Sequence, residues 1–165
     1  MEPTTAIVAG CGDLGTEVGL RLAGLGMQVV GLRRRVSVLP DEIEGQAIDL
    51  SIAVPRLPPA AIILVIALAA DRRTPEAYHE TYARGISNVI RGVRSSGLVL
   101  MRTVLVSSTA VYGDCDGAWI DEETPAEGQA PTAHVLREAE RLAHKELPAV
   151  TTLRLRACTV LEGIA

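Results

Sequence analysis

Short apolar runs alternate along the chain with longer segments in which apolar residues recur every three or four positions. The short runs predict buried strands, because apolar stretches of about four to eight residues are typical of strands covered on both faces. The predicted strands cover residues 6–9, 29–32, 47–48, 62–67, 103–106 and 150–155. The spaced segments between them predict helices, so the pattern indicates successive strand–helix–strand units and a parallel sheet.

The predicted helices carry start and stop signals. The first has apolar residues at positions 14, 18, 22 and 25 and is closed by glycines at 24 and 26. Thr74, Pro75 and Glu76 open the next helix with a capping hydroxyl, a proline at the first position and an acid near the positive end of the dipole. A last helix around 135–143 is stopped by Pro148. Six strands with intervening helices predict one α/β domain over residues 1–165, built on a doubly wound parallel sheet.

Composition excludes several classes of protein. The longest apolar run, residues 60–70, is too short to span a membrane, and the amino terminus lacks a basic region followed by an apolar one. A net charge of −4 argues against a nucleic-acid-binding surface. The cysteines at 11, 115 and 158 match no disulfide or zinc spacing, so we expect no metal site. The sequence therefore predicts a cytoplasmic protein without a nucleic-acid or membrane partner.

A glycine-rich motif follows the first predicted strand and opens the first predicted helix. Its sequence, Gly-Cys-Gly-Asp-Leu-Gly at positions 10–15, has the G-x-G-x-x-G form of the Rossmann dinucleotide fold. Gly10 permits the tight turn, Gly12 lets the backbone approach a pyrophosphate, and Gly15 lets helix and strand pack closely. Free backbone amides and the positive end of the helix dipole would face the anion. The alternative is a glycine turn that binds nothing.

The end of the second predicted strand selects between cofactors in this fold. An acid there binds the ribose hydroxyls of NAD, whereas arginine accommodates the 2′-phosphate of NADP. Here Arg33, Arg34 and Arg35 follow Leu32, and no acid precedes Asp41. We therefore expect NADP as the cofactor, with NAD as the alternative. The competing interpretation of the arginines is a solvated basic loop.

Four motifs together resemble a known family. They are the glycine motif, Asp49-Leu50, the alanine-rich segment 67–70, and Ser-Ser-Thr-Ala-Val-Tyr-Gly at 107–113. Their order is similar to that of the extended short-chain dehydrogenases/reductases, the NAD-dependent epimerase/dehydratase family, and most similar to an atypical branch of small members. The resemblance implies that the amides of Asp13 and Leu14, with the three glycines, hold the pyrophosphate. It further implies that Asp49 and Leu50 lie along the adenine. It also implies that Ala67 and Ala69 flank the ribose and nicotinamide side.

The resemblance implies an active site in which one catalytic pair is missing. Ser108 matches the family's active-site hydroxyl, and the alternative is a serine at the end of a strand whose hydroxyl is satisfied by the backbone. The family's Tyr-x-x-x-Lys pair is replaced by Thr132 and Leu136, and Lys145 is the only lysine in the chain. Tyr112, beside Ser108, is the remaining candidate for proton transfer, although tyrosine in this motif is more often a packing residue. Two further positions bear on the site: Tyr82 stands where the family has an asparagine, and we expect His134 to face away from the site.

The sequence thus predicts an NAD(P)-binding, epimerase/dehydratase-like protein that prefers NADP(H) and has a degenerate acid/base site. Two alternatives stay open: a non-redox lyase, isomerase or cyclase that uses the same pocket, and a nucleotide-sensing module without turnover. The expected partners are a dinucleotide and a small-molecule substrate. The assembly state is open, with a homodimer as one option. The chain ends soon after the sixth strand, so it is either a minimal cofactor domain or part of a longer protein.

Overall fold

A computed structural model describes residues 4–156 of the chain. Within these residues, six strands form one sheet in the order β3-β2-β1-β4-β5-β6. All neighbouring strands are parallel. The strands are β1 (Thr5–Ala9), β2 (Gln28–Arg33), β3 (Glu44–Ala47), β4 (Ala61–Ile66), β5 (Arg102–Ser108) and β6 (Val150–Leu155). This confirms the predicted doubly wound parallel sheet, whose strand order is that of the Rossmann fold.

Four α-helices and two short 3₁₀ turns connect the strands. The helices are α1 (Asp13–Gly24), α2 (Pro75–Tyr78), α3 (Gly85–Ser96) and α4 (Pro131–Glu146), and a π-helical turn, His79–Arg84, joins α2 to α3. The predicted start at Thr74 is confirmed, because its hydroxyl accepts a hydrogen bond from the Ala77 amide at 3.3 Å and Pro75 opens the helix. The 3₁₀ turns cover Val36–Val38 and Thr109–Val111.

The third strand differs from its prediction. It runs from Glu44 to Ala47, so it begins earlier and ends earlier than the predicted pair 47–48. Its residues are polar or small because it forms the edge of the sheet and pairs only with β2, which leaves no continuous apolar signal. The π-helical turn after α2 was likewise not predicted, because the apolar spacing through it stays close to that of an α-helix.

Both faces of the sheet are packed, and the two faces meet different helices. Val8, Val29 and Val65 pack with residues of α1 on one face. Ile7, Leu64 and Leu105 belong to a larger cluster that includes residues of α3 and α4 on the other face. Strand β1 lies between β2 and β4 in the sheet. The helices that follow β1 and β4 pack on opposite faces of the sheet. A crevice therefore opens beyond the carboxyl ends of these two strands, where this fold binds its ligands. Cys158 lies outside the described residues.

Candidate functional site

The glycine loop forms the floor of this crevice, and two of its glycines are sterically required. Gly10 has φ +86°, and a Cβ there would lie 2.5 Å from the carbonyl oxygen of Ala67 at the end of β4. A Cβ at Gly15 would lie 2.4 Å from the carbonyl oxygen of Gly10. The loop is fixed to β2, because the amides of Gly10 and Cys11 donate to the Leu32 carbonyl at 3.1 and 3.0 Å. The loop is therefore held closely against both neighbouring strands.

Gly12 differs from the other two glycines. A Cβ there would meet no atom within 4 Å, and its φ of −81° is accessible to any residue. Neither packing nor backbone conformation requires glycine at this position. Gly12 is the N-cap of α1 and brings no side chain to the first-turn amides, which include those of Asp13 and Leu14. The space above Gly12 thus combines uncapped amides, the positive end of the helix dipole and room for a ligand.

Cys11 lies beneath the loop rather than in the crevice. Its side chain is fully buried, and burial raises the pKa of the thiol, while Thr16 and the positive charge of Arg33 act in the opposite direction. A Cβ on Gly31 would lie 2.9 Å from the Cys11 sulfur. Cys11 is therefore a packing residue between α1 and β2.

The three arginines after β2 have different surroundings. Arg33 is half-buried, whereas Arg34 and Arg35 are exposed. Nη2 of Arg34 donates to both carboxylate oxygens of Asp71, at 3.1 and 2.9 Å. Asp71 belongs to the loop after β4, so an acid reaches the arginines from a distant part of the sequence. The sequence around β2 does not indicate Asp71 as a partner of Arg34, because the two residues are 37 positions apart.

The positions that the resemblance places along the adenine and ribose lie on the same edge of the sheet. Asp49 Oδ1 accepts hydrogen bonds from the amide and hydroxyl of Ser51, at 2.9 and 2.6 Å. The side chain of Leu50 is buried in the core, so only its backbone can face a ligand. Ala67 is half-buried and its amide donates to the Ala9 carbonyl at 2.8 Å, whereas Ala69 is exposed.

The end of β5 brings the first of the candidate catalytic hydroxyls to the crevice. Ser108 is half-buried, and its Oγ accepts a hydrogen bond from the Ala110 amide at 3.2 Å as it caps the following 3₁₀ turn. Ser107, one residue earlier, points the other way and is buried. Its Oγ has no hydrogen-bond partner within residues 4–156. Ser108 is thus the serine of this motif that remains accessible to a ligand.

The phenol of Tyr112 belongs to a network that the sequence did not indicate. Nη1 of Arg154 donates to the Tyr112 hydroxyl at 3.0 Å, and that hydroxyl donates to the carbonyl of Asp121 at 3.3 Å. The Arg154 guanidinium lies 5.1 Å from the centroid of the tyrosine ring. It also makes two hydrogen bonds to the buried carboxylate of Glu140, at 3.1 and 2.8 Å. The hydrogen bonds that Arg154 donates to Glu140 are the main reason why the pKa of Arg154 is raised. The network joins β6, α4 and the loop after β5.

Helix α4 presents Thr132, Leu136 and Glu140 at four-residue spacing, so these residues share one face. Thr132 is half-buried, and Leu136 is only 2% exposed. Leu136 lines a small cavity with Tyr82 and Ser107. Burial raises the pKa of the Tyr82 phenol, and the nearby Tyr78 raises it further. On the face of α4 that would carry the family's Tyr-Lys pair, the position of the lysine is therefore taken by the buried apolar side chain of Leu136.

His134 lies on the outer face of α4. It is exposed, and its Nδ1 is 2.7 Å from Nη2 of Arg137. Within residues 4–156, no three His, Cys, Asp or Glu side chains are grouped as a metal site would require. No helix in the same range is long and apolar enough to cross a bilayer.

Comparison with solved structures identifies the architecture. A Methylobacillus flagellatus protein, proposed to be an NAD-dependent epimerase/dehydratase, matches 92% of this chain with 29% identity and a TM-score of 0.71. The chain has the architecture of the NAD-dependent epimerase/dehydratase family. The resemblance carried by the sequence motifs is thereby confirmed.

Two further solved structures have the same fold at lower identity. A UDP-galactose 4-epimerase matches 92% of the chain with 20% identity and a TM-score of 0.74. A UDP-glucuronic acid 4-epimerase from Bacillus cereus, solved in complex with NAD, matches 93% with 15% identity and a TM-score of 0.73. The alignments cover 53%, 55% and 57% of the three solved chains, so this chain spans about half their length. No protein-family model matches the sequence, and a search of curated proteins finds no match.

Proposed function

We propose that the chain binds a nicotinamide dinucleotide across the carboxyl ends of β1, β2 and β4, as an epimerase/dehydratase-like protein. The observation that carries this proposal is the open space above Gly12. Packing explains why residues 10 and 15 are glycine, but it leaves residue 12 unexplained. A pyrophosphate held by the amides of Asp13 and Leu14 would occupy that space and would account for all three glycines.

The same geometry favours NADP(H) over NAD(H). Arg33 is half-buried at the end of β2, and its charge reaches the thiol of Cys11 in the glycine loop. A guanidinium at this position can bind a phosphate on the 2′-oxygen of the adenosine ribose through charge-assisted hydrogen bonds. Arg34 is a weaker candidate for this role because Asp71 already occupies its guanidinium. Asp49 and the backbone of Leu50 would border the adenine, and Ala67 and Ala69 the ribose.

The proposed acid/base site is degenerate. When bound, the nicotinamide would supply hydride transfer, and the protein must then move a proton to or from the substrate oxygen. Ser108 can orient that oxygen, and Thr132 offers a hydroxyl with no accessible pKa. The phenol of Tyr112 is engaged by Arg154 and by the Asp121 carbonyl, so it serves here as a positioning group. We propose slow hydride chemistry on a small-molecule substrate.

A second candidate function is a nucleotide-binding module without turnover. It is favoured by Leu136, whose buried side chain fills the position where the family's lysine would hold the ribose. A non-redox lyase, isomerase or cyclase would use the Ser108 side of the crevice and would not need the dinucleotide. Binding and turnover assays together separate these three functions.

The test is a calorimetric titration of the purified chain with NADPH and with NADH. The proposal predicts that both bind and that NADPH binds more tightly. Equal affinities would contradict the preference for NADP(H), and the absence of binding by either would contradict the dinucleotide site. Turnover of a carbonyl panel with the tighter cofactor then distinguishes an enzyme from a binding module.

A further inference from the structure

Arg34 links two loops of the crevice. It follows β2 directly, and its two hydrogen bonds reach Asp71 in the loop after β4. The positive charge of Arg34 also contributes to lowering the pKa of Asp49, in the loop after β3, although the hydrogen bond from the Ser51 hydroxyl is the main cause. Through Asp71, Arg34 therefore joins the loops that follow β2 and β4.

The pair of Arg34 and Asp71 borders the proposed cofactor site. Strands β2 and β4 flank β1, so a contact between the loops that follow them passes over the carboxyl end of β1. The glycine loop begins at that end, and Gly10 lies against the backbone of Ala67 there. A dinucleotide held by the loop and by Arg33 would place its adenosine ribose next to this ion pair.

Asp71 and a 2′-phosphate would compete for the same guanidinium. Both carboxylate oxygens of Asp71 already accept hydrogen bonds from Nη2 of Arg34, so this donor is occupied while the pair is closed. The two side chains are 62% and 69% exposed, so the pair is held only weakly and can open. Even when it opens, the negative charge of Asp71 stays near the phosphate and opposes its binding.

We infer that Asp71 is a specificity-determining residue, which limits the preference for NADP over NAD by holding Arg34 and by placing a carboxylate beside the 2′-phosphate site. This inference rests on the proposed dinucleotide function. The two arginines then have different roles. Arg33 binds the phosphate while the ion pair of Arg34 and Asp71 is closed, and Arg34 becomes available only when Asp71 releases it.

The consequence is that Asp71→Asn strengthens NADPH binding. At a separation of about 7 Å in water, loss of one unit charge changes the affinity for a doubly charged phosphate by less than about tenfold, and salt reduces the effect. We expect NADPH affinity to rise about threefold to tenfold, and NADH affinity to change by less than about twofold. In an Arg34→Ala background the gain from Asp71→Asn is smaller, because only the repulsion is then relieved.

The experiment compares wild type, Asp71→Asn, Arg34→Ala and the double variant by calorimetry with NADPH and NADH, with thermal melting to check the fold. Glu17→Gln is the matched control, because Glu17 also forms an exposed ion pair with an arginine, Arg21, at 2.8 Å on the surface of α1. It removes the same charge and should leave the NADPH to NADH ratio unchanged.

The outcomes separate the inference from the function on which it rests. If wild type binds both dinucleotides and Asp71→Asn leaves their affinity ratio unchanged, the inference is overturned and the proposed function stands. An equal shift in Glu17→Gln also overturns it, because a general charge effect would then explain the result. If wild type binds neither dinucleotide, the proposed function fails and the role of Asp71 fails with it.

Discussion

Replacement of Gly12 by valine separates ligand binding from folding. The backbone of Gly12 is extended, and an added Cβ meets nothing within 4 Å, so valine fits without strain in the ligand-free protein. Gly12 is the N-cap of α1, where valine is less favourable than glycine, so the stability should fall by about 1 kcal/mol at most and the protein should stay folded. The branched side chain would instead occupy the space above the amides of Asp13 and Leu14. Loss of two charge-assisted contacts of about 1.5–3 kcal/mol each lowers the affinity about a hundredfold or more.

The assay is NADPH titration by calorimetry, with melting temperatures measured on the same samples. Gly24→Val is the matched control, because a Cβ at Gly24 also meets nothing within 4 Å and the residue ends α1 far from the loop. Gly15→Ala should behave oppositely, because its Cβ would lie 2.4 Å from the Gly10 carbonyl oxygen and should destabilise the fold by about 1–3 kcal/mol. Wild-type NADPH affinity in a folded Gly12→Val protein would refute the assignment of the phosphate loop.

Three further predictions concern other parts of the crevice. Arg33→Ala should reduce the preference for NADPH over NADH about tenfold, since one charge-assisted phosphate contact is lost; an unchanged ratio in paired titrations would remove Arg33 from the site. Thr132→Tyr combined with Leu136→Lys should raise NADPH oxidation on a carbonyl panel above a low wild-type rate, and rapid wild-type turnover would show that the acid/base site is not degenerate. Glu140→Gln should lower the free energy of unfolding by about 1–3 kcal/mol, because it weakens the largely buried pair with Arg154. Chemical denaturation with no change in stability would contradict that account.

Features encoded over short stretches of sequence could be predicted. The glycine motif, the strand around Ile7 and the cap at Thr74 each depend on neighbouring residues, and the structure places them as expected. The edge strand β3 was misplaced because an edge strand needs little apolar surface, so its polar residues gave no periodic signal.

The charged contacts could not be predicted in the same way. Asp71 is 37 residues from Arg34, and Arg154 is 42 residues from Tyr112. Only the order of strands in the sheet brings these partners together, and one sequence does not show which loop carries the partner of a given charge. The first pair could have been suspected from the strand order, because the loops after β2 and β4 converge over β1.

The most direct test of the central claim is to record amide chemical shifts of the isotopically labelled chain as NADPH is added. The account predicts the largest changes at Gly12, Asp13 and Leu14, with smaller ones at Arg33 and Leu50, and saturation at one nucleotide per chain. Saturable shifts confined to another surface, or no shifts at the start of α1, would contradict the dinucleotide site.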